Sequence, residues 1–138
     1  MPTMPYVALA VLLAQEAPDT LAGYWANPSE SVIVLITPCA GAAWCGSVHW
    51  ASDKAKADAG RRGTAALVGT ELLHDFVQVG PNRWKGRLFV PDLNRRSAAE
   101  LRLLDAARLQ VRGCTVAGLI CKTQTWTRSK LGESRSWE

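Results

Sequence analysis

The chain has 138 residues, of which 48% are hydrophobic and 20% charged, with 16 Lys and Arg against 12 Asp and Glu. That length holds one domain with a real core and excludes two, and the composition argues against a disordered chain. The net charge of +4 would suit anionic partners such as lipid headgroups or surface polysaccharide, but no Lys/Arg run exceeds two residues, so a solvated soluble surface accounts for it first.

Residues Pro5 to Ala14 (PYVALAVLLA) form an uncharged apolar run ahead of Gln15 and Glu16. It is too short to span a bilayer, which takes about 20 residues. It has the length of a signal-peptide core, with cleavage expected after Ala14 or Ala17, although no basic residue precedes Tyr6. Residues 1–17 are therefore read as a signal peptide, 18–128 as the folded domain and 129–138 as a polar, mobile tail. A periplasmic or secreted location follows, with no membrane-spanning segment.

The strands then follow in order. Leu21–Ala26 is the first, and Asn27-Pro28-Ser29-Glu30 turns the chain because Asn-Pro cannot continue a ladder. Ser31–Ile36 is β-branched and almost wholly apolar, the mark of a strand paired centrally. Trp44–Trp50 returns, and alternation places Trp44, Gly46, Val48 and Trp50 inward, with Cys45, Ser47 and His49 on the other face. Ala51–Thr64 has no apolar stripe and reads as an exposed loop with one helical turn from Asp53 to Ala59.

Further strands are expected over Glu71–Val79, Arg83–Val90, Ala98–Leu104, Arg108–Cys114 and Cys121–Arg128, with Pro91–Arg96 a polar turn. Eight short strands with turn chemistry between them and no convincing helix predict an all-β fold. Closure removes exposed edges, so a single antiparallel barrel is the expected form. Six tryptophans against two phenylalanines and two tyrosines suit its core.

Four cysteines fall in two local pairs, Cys39 with Cys45 and Cys114 with Cys121. Three connectivities are possible. Locality favours the two short clasps, each contributing about 2–3 kcal/mol by restricting the unfolded chain. A four-thiolate zinc site normally shows closer Cys pairs and is the lesser reading.

The order Gly23-x-Trp25, Pro38-Cys39, Trp44-Cys45-Gly46, Arg61-Arg62-Gly63, Leu67-Val68-Gly69, Val90-Pro91-Asp92, Val111-Arg112-Gly113-Cys114 and Thr125-Trp126-Thr127-Arg128 resembles the bacterial domain of unknown function 2147 family. The resemblance spans about Gly23 to Arg128. It implies a small exported protein with a lipocalin-like, or calycin-like, β-barrel and no assigned activity. In calycin-type barrels a Gly-x-Trp on the first strand sits beneath an arginine from near the chain's end. Gly23, Trp25 and Arg128 occupy suitable positions for that closure. Two loops depart from the family pattern: Asp58-Ala59-Gly60 stands where many members have Asn-Pro-Asp, and Val90–Arg96 replaces a Tyr-Asp-Pro hairpin. No catalytic residues carry over.

The chemistry-bearing residues are sparse. His74 and Asp75, as strand neighbours, are expected on opposite faces and so unable to pair. Ser47 and His49 share a face without a third partner. Histidine metal motifs, calcium loops and a Gly-rich phosphate loop are absent from the sequence, so no metal or cofactor is expected. Two binding features stand out. Trp44, Trp50, Trp84, Gln124 and Trp126, with Lys122 beside them, would line a pocket if the barrel were hollow, although large rings favour a mostly packed interior. Arg83, Lys85 and Arg87, near Arg95 and Arg96, would form a basic outer stripe whose repulsion needs acids or an anionic ligand to offset it. The expectation is a non-enzymatic barrel that binds a small apolar or amphipathic ligand or an envelope component. The alternative is an interaction domain that docks on an envelope protein or a polyanion. Nucleic acid is not an expected partner.

Overall fold

A computed structural model describes residues 20–115 and 120–130. The signal-peptide expectation, the linker between Thr115 and Ile120, and the chain after Lys130 fall outside them. Eight strands form a closed antiparallel barrel: β1 (Gly23–Ala26), β2 (Val32–Pro38), β3 (Trp44–Ala51), β4 (Glu71–Gly80), β5 (Arg83–Val90), β6 (Arg95–Asp105), β7 (Arg108–Thr115) and β8 (Ile120–Arg128). Each pairs with its neighbour in sequence, and β8 returns to β1 through Trp25 opposite Arg128 and Ala26 opposite Thr127.

An all-antiparallel ring has two ends, and every turn belongs to one of them. The first end gathers the start of β1, the turns β2–β3, β4–β5 and β6–β7, and the end of β8. The second gathers β1–β2, the β3–β4 connection, β5–β6 and β7–β8. The interior is filled by alternate residues of every strand. Trp25, Val34, Ile36, Val48, Leu73, Phe76, Trp84, Leu101, Leu109, Val111 and Trp126 form one buried cluster.

Two departures from the expected elements matter. The segment read as a loop is a helix, α1 (Asp53–Arg61). Ser52 caps it, its Oγ accepting the Ala55 N–H at 3.1 Å, and Asp53 and Arg61 complement the helix dipole at its two ends. Its buried stripe consists only of Ala55 and Ala59, one turn apart. Methyl groups carry little hydrophobic signal, and so the amphipathic pattern was invisible. Ala59 is fully buried in the core, so α1 packs across the second end. The other departure is β6, which starts at Arg95, so Arg95 and Arg96 pair with Val90 and Phe89 and do not turn.

Candidate functional site

The first end of the barrel is sealed by one cation. Trp25 is fully buried, and the guanidinium of Arg128 lies over its ring at 4.2 Å from the centroid. The same guanidinium donates to three backbone carbonyls: Nε to Ala106 at 2.7 Å, Nη1 to Ala22 at 2.7 Å and Nη2 to Thr20 at 2.8 Å. Trp25 Nε1 donates to Leu21 O at 2.9 Å. Gly23 is required beside them, since it has φ +128° and a Cβ there would lie 2.8 Å from Arg128 Nη1. Next to Arg128, the Ser129 N–H donates to Tyr24 O at 2.8 Å, so the chain is still tied to β1 at the point where the polar tail was expected to begin.

The five residues expected to line a pocket do not surround one space. Trp84 and Trp126 are buried within the core cluster, and Trp44 is half-buried against it. Trp126 Nε1 donates to Gln124 Oε1 at 3.0 Å, and Gln124 is exposed. Trp50 is corrected to the outer face. The ladder between β2 and β3 slips at Ile33/Val34, so that Val34 opposes Val48 and Ile33 opposes Trp50. One extra residue in β3 reverses the alternation beyond it, as a bulge does.

A second bulge lies in β4, next to a groove on the outside of the barrel. In β4 the register against β5 passes from His74 opposite Arg87 to Val77 opposite Lys85, leaving Asp75 and Phe76 against Gly86 alone. Asp75 has φ +51°. Phe76 turns inward over Gly86, where a Cβ would lie 2.8 Å from its ring and from His74 O. His74 and Asp75 consequently come together, Nε2 to Oδ2 at 3.2 Å. This corrects the expectation that strand alternation separates them. His74 Nδ1 meets Glu71 Oε1 at 2.6 Å on its other side.

Beside this cluster an open groove of about 280 Å³ is lined by Leu72, Leu88, Phe89, Arg87, Arg96 and His74, together with Thr70 and Glu71. Its apolar side chains are Leu72 and Phe89, since Leu88 turns inward toward Gly113. Its walls carry two guanidinium groups, and that of Arg96 stands over the Phe89 ring at 5.0 Å. Sequence reading placed Arg96 in a turn and Leu72 inside a strand without notice. What brings the two together is the start of β6 at Arg95, which pairs Arg96 with Phe89 on the strand next to Leu72.

Arg83, Lys85 and Arg87 lie on the outer face of β5, opposite in alternation to buried Trp84. Arg83 Nε donates to Glu100 Oε2 at 2.8 Å. That bond, together with the neighbouring cations, holds the Glu100 carboxyl below its ordinary pKa against a modest cost of burial. Arg102 stands opposite Arg83, and Arg112 opposite Glu100, so the cationic face extends across β6 and β7.

Cys39 is bonded to Cys45, with Cα atoms 5.7 Å apart, and Cys114 to Cys121, with Cα atoms 4.0 Å apart. Each clasp closes the end of a strand pair. Asp58 in α1 is held by Lys54 at 2.9 Å and by Arg61, and Asp53 lies 3.5 Å from Lys56, so both are engaged within the helix. His49 packs edge-on against Tyr24, with ring centroids 4.8 Å apart. Ser47 pairs across the ladder with Glu71.

Comparison with known proteins agrees with this architecture. A family model described as "Uncharacterized protein conserved in bacteria (DUF2147)" matches residues 23–128. No curated protein matches significantly. Among solved structures, the chain is similar to "Protein HP1028 from the human pathogen Helicobacter pylori belongs to the lipocalin family". The two are 16% identical with a TM-score of 0.66, over 86% of this chain and 89% of that one. Identity that low carries the fold alone.

Proposed function

Since the chain belongs to the DUF2147 family of uncharacterised bacterial proteins, we propose that it works outside the cytosol as a non-enzymatic binding protein. Its ligand is an anionic amphiphile of the cell envelope, held on the outer wall of the barrel. The observation that carries this reading is the pairing of apolar side chains with two cations in one groove: Leu72 and Phe89 below, Arg87 and Arg96 beside them. An acyl chain would cover the floor and gain about 0.8 kcal/mol per buried methylene. A carboxylate or phosphate head would meet the arginines through charge-assisted bonds. Glu71, the one acid in the groove, is already engaged by His74. The interior competes poorly for such a ligand, because Trp25, Trp84, Trp126 and Phe76 occupy it. Two disulfides support an oxidising compartment. Among the described residues no helix is long and apolar enough to cross a membrane.

Dodecanoate is a suitable probe in calorimetric titration. The Arg87→Ala/Arg96→Ala double variant is expected to weaken binding about tenfold or more, from the loss of two charge-assisted bonds. Unchanged affinity would overturn the assignment of the groove.

A second reading has its own observation. Arg83, Lys85, Arg87, Arg102 and Arg112 cluster on the outer face around the carboxylate of Glu100. Such a face would dock on a polyanion. Lys85→Glu/Arg102→Glu, which leaves the groove intact, would abolish retention on immobilised heparin under that reading and leave dodecanoate binding unchanged.

A further inference from the structure

The bulge at Asp75 has a second effect, on the neighbouring strand. Trp44 opposes Phe76 and Gly46 opposes Leu73, so Cys45 alone faces two residues of β4, His74 and Asp75. The ligand atoms of Cys39, Cys45 and Asp75 all lie within 4.8 Å of one another, and so do those of Cys45, Glu71 and His74. Two sulfurs, one imidazole and two carboxylates therefore meet around Cys45. Cys39 is an exposed residue, so the clasp lies at the surface of the barrel. This is the donor set that zinc prefers, with one difference: the sulfurs are joined to each other.

We infer that this cluster is a redox-gated zinc site, closed while the Cys39–Cys45 disulfide is intact and open when it is reduced. A dithiol donor supplies the two electrons and two protons. One of its thiolates attacks Cys39 or Cys45 and displaces the other sulfur as a thiolate. Its second thiol then resolves the mixed disulfide, leaving an oxidised donor and two cysteine thiols on this chain. Zinc binding displaces the two thiol protons. Cys39 and Cys45 then contribute two thiolates, His74 one nitrogen, and Asp75 or Glu71 one carboxylate oxygen, which completes four-coordination. The carboxylate that does not bind stays on His74, orienting its ring, because both carboxylates contact the imidazole in the oxidised form. The cluster is on the outer wall, so occupying it leaves the packed interior as it is.

The arrangement is specific to this pair. The other disulfide, Cys114–Cys121, forms no such group with histidine or acid among the described residues. The β2–β3 turn also has a frame independent of the disulfide: Cys39 N–H donates to Ala43 O at 2.9 Å and Ala43 N–H to Ala40 O at 3.0 Å. Reduction would leave the two thiols close together on a hairpin that is still paired.

Cobalt(II) reports the site directly, since thiolate ligation gives a charge-transfer band in the near ultraviolet and tetrahedral geometry gives intense visible bands. The test uses a Cys114→Ser/Cys121→Ser variant, leaving only the Cys39–Cys45 pair, reduced with a phosphine and checked for its barrel by circular dichroism. One equivalent of cobalt is expected to develop both bands, zinc to displace it, and the oxidised variant to show neither band. His74→Ala in the same background should weaken cobalt binding by roughly tenfold or more, since losing a direct ligand costs at least as much as losing its orienting partner. A folded, reduced variant without the charge-transfer band would overturn the proposal, as would His74→Ala binding cobalt as tightly as its parent. Should reduction unfold the variant, zinc is expected to restore the barrel, and failure to do so counts equally against the site.

Discussion

Arg128 joins parts of the chain that are more than a hundred residues apart. Its guanidinium covers Trp25 and bonds the carbonyls of Thr20, Ala22 and Ala106. The cation–π contact alone is worth about 0.5–2 kcal/mol, and each charge-assisted bond adds about one more. Arg128→Ala is accordingly expected to destabilise the barrel by about 4 kcal/mol and lower Tm by about 15 °C in thermal unfolding. Arg128→Lys should recover less than half of that, because an ammonium cannot reach several carbonyls in the plane of a guanidinium. Glu100 supplies a smaller, pH-dependent contribution. Its pKa is lowered in the folded state by the Arg83 bond, so the stabilisation is present above the unfolded carboxyl pKa and is lost as pH falls through the folded value. For a partly exposed pair this amounts to about 0.5 kcal/mol. Glu100→Gln should lower stability at neutral pH by that amount and converge with the parent in acid, measured by urea unfolding across the range.

At the scale of elements, the β4 bulge sets the cysteine–histidine cluster. Gly86 makes it possible, because any Cβ there would press on Phe76 and on the His74 carbonyl. Gly86→Ala is expected to cost about 2–3 kcal/mol, within the range for overpacking a filled core, and to shift the amide resonances of His74, Asp75 and Phe76 above all. Helix α1 depends on its cap in the same local way. Ser52→Ala should cost about 1 kcal/mol by removing the acceptor of the Ala55 N–H. These two features also mark where sequence reading stopped. The strands of β4, β5 and β7 were legible within a residue or two at each end because apolar alternation and turn residues are local signals. The Trp25–Arg128 closure was legible through the resemblance to calycin-type barrels, in which a Gly-x-Trp on the first strand meets a late arginine. Bulges carry no such local signal: a bulge is a property of two strands in register, so the residues around Asp75 or His49 do not by themselves say which one is left unpaired. Trp50 and the His74–Asp75 pair were misplaced for that one reason. α1 was lost because Ala55 and Ala59 present methyl groups where a helix usually presents leucine.

For the whole molecule, the barrel works as a solid support. Three indoles, Phe76 and the leucines of β6 and β7 fill its interior, two disulfides hold its hairpins, and the sheet's outer wall carries the polar chemistry. On the proposed reading, recognition moves from the calyx to the wall, where Arg87 and Arg96 flank Leu72 and Phe89. The measurement that tests this most directly is a dodecanoate titration followed by backbone amide and indole N–H resonances of the labelled protein. Saturable shifts centred on Leu72, Arg87, Phe89 and Arg96 are the predicted result, with the Trp25, Trp84 and Trp126 indoles unmoved. Shifts concentrated on those three indoles, with the outer residues silent, would place the ligand inside the barrel and contradict the account.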